Sequence, residues 1–335
     1  MATQWRPQGM VTGIGSLPHR DASAAAAFSL ASADLPAIPT LPRRSPAEGM
    51  ISQAVAGMRG FTIGQYGSIA VDVDAVDPDD PASSQLHDDA YAGLFAFLDE
   101  AAERRYQGPV KWQFVGPVTL GMALLRAGLP SPLAFDVAVR SVRAHLAKLL
   151  DVVHTALPSS EQVVFIDEPS FGDISDEDFH LAPDTAIDLV SAALAMVEPR
   201  AAVGLHCCAS ADVGALLATG PHVLSIPVSA CLDGEVSRLI RFIEDGGIVC
   251  WGAVPTSGPL SSSSDRSWRA LADLWCDLVR RGADPVQLRQ QSLISPECGL
   301  GTHSTEVAEQ VAAMTRQIGD RVRDQALATQ FAFGA

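Results

Sequence analysis

The sequence predicts an α/β fold, a single (β/α)8 TIM barrel, on three observations. Short apolar stretches rich in β-branched residues recur along the chain, long alanine- and leucine-rich segments separate them, and no linker or low-complexity tract interrupts the alternation. The count of about eight such stretches favours a barrel over a doubly wound sheet. A length of 335 residues suits one large barrel domain spanning 1–335 with a sizeable core.

In chain order, strands are expected at 10–14, 37–41, 110–115, 163–166, 202–207, 222–226, 247–251 and 292–294. Their near-continuous apolar character is what strands covered on both faces require. Helices are expected at 21–31, 46–57, 86–105, 117–127, 132–155, 182–197, 210–218, 234–245, 265–281 and 304–327. Pro117 suits the first turn of its helix, where the missing amide hydrogen costs nothing. Segments 78–84 and 261–264 read as loops within the domain. The acidic series Asp72, Asp74, Asp77, Asp79 and Asp80 reads as a solvated loop, because it lacks the glycine and terminal glutamate of a calcium loop.

The net charge is −16, from 23 basic and 39 acidic residues. That balance argues against a nucleic-acid or anionic-membrane partner, each of which needs a concentrated basic patch. No apolar run reaches the length that spans a bilayer, and the first residues lack a secretion signal, so a cytoplasmic protein is expected. Six cysteines are too sparse for a disulfide scaffold and read as free thiols, core fillers or ligands.

In a barrel, polar residues at the C-terminal ends of strands face the catalytic mouth. Four segments qualify. In Leu205-His206-Cys207-Cys208, the period of two puts His206 and Cys208 on one face and Cys207 on the other. An imidazole and a thiolate side by side suit zinc, and Cys298, after the last strand, offers a third soft ligand. The plainer alternative makes both cysteines small core hydrophobes and His206 a hydrogen-bonded interior residue.

In Val163-Val164-Phe165-Ile166-Asp167-Glu168-Pro169, an apolar strand ends in two carboxylates. Asp167 is the candidate for fixing a substrate ammonium, while Glu168 faces the other way or forms a structural hydrogen bond. In Ile14-Gly15-Ser16, glycine lets the backbone approach a ligand, and Ser16 with its amide suits a carboxylate. Gly116-Pro117-Val118-Thr119 reads as a strand-to-helix turn.

Together, Ile14-Gly15-Ser16-Leu17-Pro18, Gly116-Pro117-Val118-Thr119, Ile166-Asp167-Glu168-Pro169, His206-Cys207-Cys208 and Pro296-Glu297-Cys298-Gly299-Leu300 resemble, in order, five elements of the C-terminal catalytic barrel of cobalamin-independent methionine synthase, within the uroporphyrinogen decarboxylase and methionine synthase-like superfamily. The resemblance implies Zn2+ held by His206, Cys208 and Cys298, and a substrate site at Ile14, Gly15, Ser16, Asp167 and Glu168. It further implies Asp167 as a catalytic residue and methyl transfer to homocysteine or a similar small-molecule thiol. The family's N-terminal half, which helps to bind polyglutamylated folate, is not matched, so a corrinoid or corrinoid protein is expected as donor beside methyltetrahydrofolate.

Three positions depart from the pattern. Pro227 stands where the family has a zinc-binding glutamate, and no histidine lies near Pro255-Thr256-Ser257-Gly258-Pro259, where the family has one linked to proton transfer. A second substrate carboxylate falls near Arg43 and Arg44, with Glu48 the nearest acid; the two arginines would suit an anionic thiol. These losses keep open a ligand-binding homologue without turnover. A decarboxylase of the uroporphyrinogen type is a third reading, one that has no use for the cysteine and histidine elements.

Overall fold

The computed structural model describes residues 5–77, 86, 88–230, 235–259, 261 and 263–333. Among them, seven strands form one curled parallel sheet in the order β1-β9-β8-β7-β6-β5-β4. These are β1 (Met10–Val11), β4 (Val110–Val115), β5 (Gln162–Asp167), β6 (Ala202–His206), β7 (Val223–Pro227), β8 (Ile248–Val254) and β9 (Ser292–Pro296). A separate antiparallel pair, β2 (Phe61–Ile63) and β3 (Ile69–Val71), lies outside this sheet and was not expected from the sequence.

Helices separate the strands: α1 (Ala22–Ser32), α2 (Met50–Val55), α3 (Asp88–Glu103), α4 (Pro117–Arg126), α5 (Ser131–Ala156), α6 (Pro183–Val197), α7 (Val213–Ala218), α8 (Val236–Glu244), α9 (Asp265–Arg280), α10 (Pro285–Gln290) and α11 (Thr305–Phe333). Their starts have local causes. Asp21, Asp212 and Asp284 accept hydrogen bonds from first-turn amides of α1, α7 and α10. Proline occupies the first turn of α4, α5, α6 and α10. None of the helices is long and apolar enough to cross a membrane among the described residues.

The strand expected at 37–41 does not form. Its stretch carries Pro36, Pro39 and Pro42, three positions without an amide donor, so a continuous ladder is unavailable. What remains is isolated parallel bridges, Thr12 with Leu35 and Ser16 with Thr40 on the β1 side, and Ala37 with Lys111 on the β4 side. The two edges of the seven-stranded sheet are thus linked through this segment. The expected strand at 10–14 is likewise cut to two residues, and the helix expected at 46–57 is divided into a 3-10 turn, Pro46–Glu48, and α2.

The loop expected at 78–84, with Asp79 and Asp80, lies outside the described residues, as does Ser262 of the second expected loop. Asp72, Asp74 and Asp77 are exposed, as a solvated loop requires.

Strand alternation separates two apolar clusters. Val164, Ile166, Val203, Leu205, Leu224, Ile226, Val249 and Ile294 pack with the helices. Val163, Phe165, Val223, Ile248, Cys250 and Leu293 form a second, smaller cluster with Leu35. On this second face the register aligns Asp167 with His206, His206 with Ser225, and Ser225 with Cys250. Polar side chains therefore reach one level at the C-terminal ends of β5, β6 and β7.

Candidate metal and substrate site

A cavity of about 400 Å³ opens at these strand ends. Its lining includes Ile14, Ser16, Asp167, His206, Cys208 and Cys298, six of the residues expected from the sequence, and also Glu48, Gln53 and Gln113. Gly15 lines a smaller cavity of about 50 Å³ on the far side of the same loop, together with Ile14 and Ser16. Its φ of 141° and the close approach of the Gln113 carboxamide leave no room for a side chain there.

The two sulfurs are in contact. Cys208 Sγ and Cys298 Sγ lie 3.5 Å apart and share a hydrogen bond. That bond and burial raise the pKa of Cys208, and the Cys208 thiol and His206 lower that of Cys298. His206 is buried, with Nδ1 2.9 Å from Ser225 Oγ and Nε2 without a hydrogen-bond partner. Cys207 points into the helix-facing cluster, and burial pushes its thiol up to about 12. It is a core residue, as the strand period requires.

Among the described residues, no group of three His, Cys, Asp or Glu side chains is drawn together as a ready-made metal cluster. The donor chemistry nevertheless fits zinc. Two thiolates on one tetrahedral zinc stand about 3.8 Å apart, given zinc–sulfur bonds of about 2.3 Å. The observed 3.5 Å is close to that. Ser225 holds Nδ1 of His206 and leaves Nε2 unpartnered, the arrangement in which a neighbour orients an imidazole for a metal. His206, Cys208 and Cys298 are the residues that could hold the ion. Pro227, at the end of β7, adds no donor.

Asp167 is buried, its Oδ1 has no hydrogen-bond partner, and burial pushes its pKa up to about 6 against the opposing pull of His206 and Lys111. An unpaired buried carboxylate oxygen lining a cavity is suited to an incoming cation. Glu48, fully buried, accepts from the Leu41 and Gly93 amides through Oε2 and from Arg44 through Oε1. It brings a second carboxylate to the cavity.

Two sequence expectations are corrected here. Glu168 does not line the cavity; its carboxylate accepts from the Val118 and Thr119 amides at 2.9 and 2.7 Å and caps α4. Gly116 makes room for it, since a methyl group there would collide with that carboxylate. Arg43 and Arg44 do not provide an anion site. Arg43 donates to the His303 carbonyl, and Arg44 is paired with Glu48 and Asp89.

Ser16 is anchored on two sides. Its carbonyl accepts from Leu300, its hydroxyl accepts from Gly301, and its backbone bridges to Thr40. The loop is thereby tied to the segment that carries Cys298. Gln113 was missed as a site residue, and Glu48 was named only as the acid nearest the place of the second substrate carboxylate. A period-two signal marked the first, because Lys111 and Gln113 are the polar positions alternating in the apolar strand VKWQFV. No protein-family model and no curated protein matches this chain.

Proposed function

We propose that this protein is a zinc-dependent methyltransferase that moves a methyl group from a methyl-corrinoid or methyltetrahydrofolate to a small thiol such as homocysteine. The observation that supports it best is the contact between Cys208 and Cys298 sulfurs in a cavity also lined by His206, Asp167 and Ser16. On this reading the sheet is a (β/α)8 barrel in which segment 35–40 acts as the second stave. The bridges from that segment to both sheet edges support the closure.

His206, Cys208 and Cys298 would hold the ion, with Ser225 orienting His206 through Nδ1. The chemistry zinc supplies when bound is Lewis-acid activation of a thiol, which keeps the sulfur nucleophilic near neutral pH. Asp167 and Glu48 would receive the substrate ammonium, and the Ser16 loop its carboxylate. Holding the acceptor sulfur in line with the donor methyl removes the entropy of a bimolecular encounter from the barrier.

Among the described residues, the absence of Lys and Arg from the cavity lining disfavours a decarboxylase acting on a polycarboxylate. A ligand-binding protein without turnover is the second reading, favoured by Pro227 in the position of the family glutamate.

The test is metal analysis of protein purified under reducing conditions without chelator, followed by methyl transfer to homocysteine from methylcobalamin and from methyltetrahydrofolate. Stoichiometric zinc, lost in Cys208→Ser, with methylated product is the expected result. Wild type without zinc overturns the metal assignment, and zinc with ligand binding but no product selects the second reading.

A further inference from the structure

The cavity presents two carboxylates and, among the described residues, no lysine or arginine in its lining, yet a lysine lies directly behind it. Lys111, on β4, is 2% exposed. Its Nζ donates to the Ile14 carbonyl at 2.5 Å and to Gln113 Oε1 at 3.2 Å, and sits 4.8 Å from the centre of the Phe165 ring. Two oxygens and an aromatic face thus meet the three donors of the ammonium. Gly204 is what allows the ring to lie there, because a methyl group at that position would stand 2.7 Å from Phe165 Cε1.

Buried lysines are rare because removing an ammonium from water is expensive, so each one retained needs partners that compensate. Here the partners are parts of the proposed site. Ile14 and Gln113 line the cavity, and Asp167 is the carboxylate whose charge acts on the ammonium. Gln113 extends the chain of contacts, since its Nε2 donates to the Ile38 carbonyl at 3.2 Å. Two side chains in series, Lys111 and Gln113, therefore connect three separate pieces of backbone: the Ile14 loop, β4 and the proline-interrupted segment 35–40.

We propose that Lys111 is the positioning residue of the acceptor site: from behind the cavity its ammonium fixes the Ile14-Gly15-Ser16 loop and the Gln113 carboxamide, and balances the charge of Asp167. The inference rests on the acceptor-site reading above for its ligand but on geometry alone for the loop. The need for such a residue follows from the backbone. Segments 12–16 and 35–40 are joined by isolated bridges rather than a ladder, so a side chain supplies the constraint that strand pairing elsewhere provides.

The experiment compares wild type, Lys111→Met and Lys111→Arg by amide hydrogen exchange and by calorimetric titration with homocysteine and with 4-mercaptobutanoate, which lacks the ammonium. The Leu17 and Thr40 amides, which donate to the Thr40 and Gly15 carbonyls, report on the loop. Val164 and Leu224, in the helix-facing core, report on the fold as a whole.

Lys111→Met should speed exchange at Leu17 and Thr40 at least tenfold with no change at Val164 and Leu224. It should also weaken homocysteine at least tenfold and 4-mercaptobutanoate less, because only homocysteine uses Asp167. Lys111→Arg, which keeps the charge but not the tetrahedral donor, should fall between, and it carries the same comparison if Lys111→Met does not fold. Unchanged exchange at Leu17 and Thr40, or an equal rise at all four amides, overturns the proposal. If wild type binds neither thiol, the acceptor reading fails, and the exchange comparison still decides the role of Lys111.

Discussion

Cys208 and Cys298 lie 90 positions apart in the chain, and their sulfurs are 3.5 Å apart at the ends of β6 and β9. These strands are not neighbours in the sheet, so the contact depends on its curl. The two thiols are half-buried and line the cavity, where a ligand can reach them. On the proposed function they would serve as a ligand pair.

Ser225 should govern metal affinity without touching the metal. Removing its hydroxyl frees Nδ1 of His206, and loss of such an orienting partner typically costs roughly 10–100-fold in affinity. Competition of Ser225→Ala and wild type against a chromophoric chelator measures this. Cys207→Ser, altered in the helix-facing core instead, should keep wild-type zinc affinity; loss of zinc there would contradict the assignment of ligands to one strand face.

Pro227→Glu should strengthen metal retention. It adds a carboxylate at the end of β7, the strand between His206 and the β8–β9 side of the mouth. The same chelator competition should show slower zinc loss than wild type. Faster loss would mean that the strand end does not face the ion.

Acceptor binding should weaken as the medium becomes acid. Asp167 is pushed up to about 6 by burial, and only its ionised form attracts an ammonium. Affinity for homocysteine should therefore be full above that value and fall as pH drops through it. Asp167→Asn should be weak throughout and lose this pH dependence, as calorimetric titrations from pH 5 to pH 8 would reveal.

Glu168 should matter to stability rather than to ligand binding. Glu168→Ala leaves the Val118 and Thr119 amides unpaired in the interior, a loss of roughly 2–4 kcal/mol. Urea unfolding gives the size of the effect, and homocysteine titration of the folded variant should match wild type. A selective loss of binding would return Glu168 to the substrate site.

Much of this architecture was legible in the sequence. Strand positions such as 110–115 and 202–207 were readable because burial on both faces leaves a continuous apolar run, and the separation of Cys207 from His206 and Cys208 follows from a period of two. The strand at 37–41 was misjudged because its apolar content outweighed Pro36, Pro39 and Pro42 in the reading, whereas in the fold the missing amides decide. The antiparallel pair at 61–71 has short, half-buried strands, too brief for periodicity to register.

Sequence alone determined the α/β alternation, the polar residues at the strand ends and the chemical character of the candidate donors, because each depends on local patterning. Tertiary structure decided which of them meet. It turned Glu168 to the start of α4, held Arg44 against Glu48, and put Lys111 behind the Ile14 loop and Cys298 against Cys208. Those outcomes depend on sheet curl and on the competition of buried amides and charges for partners, and neither is encoded within any one segment.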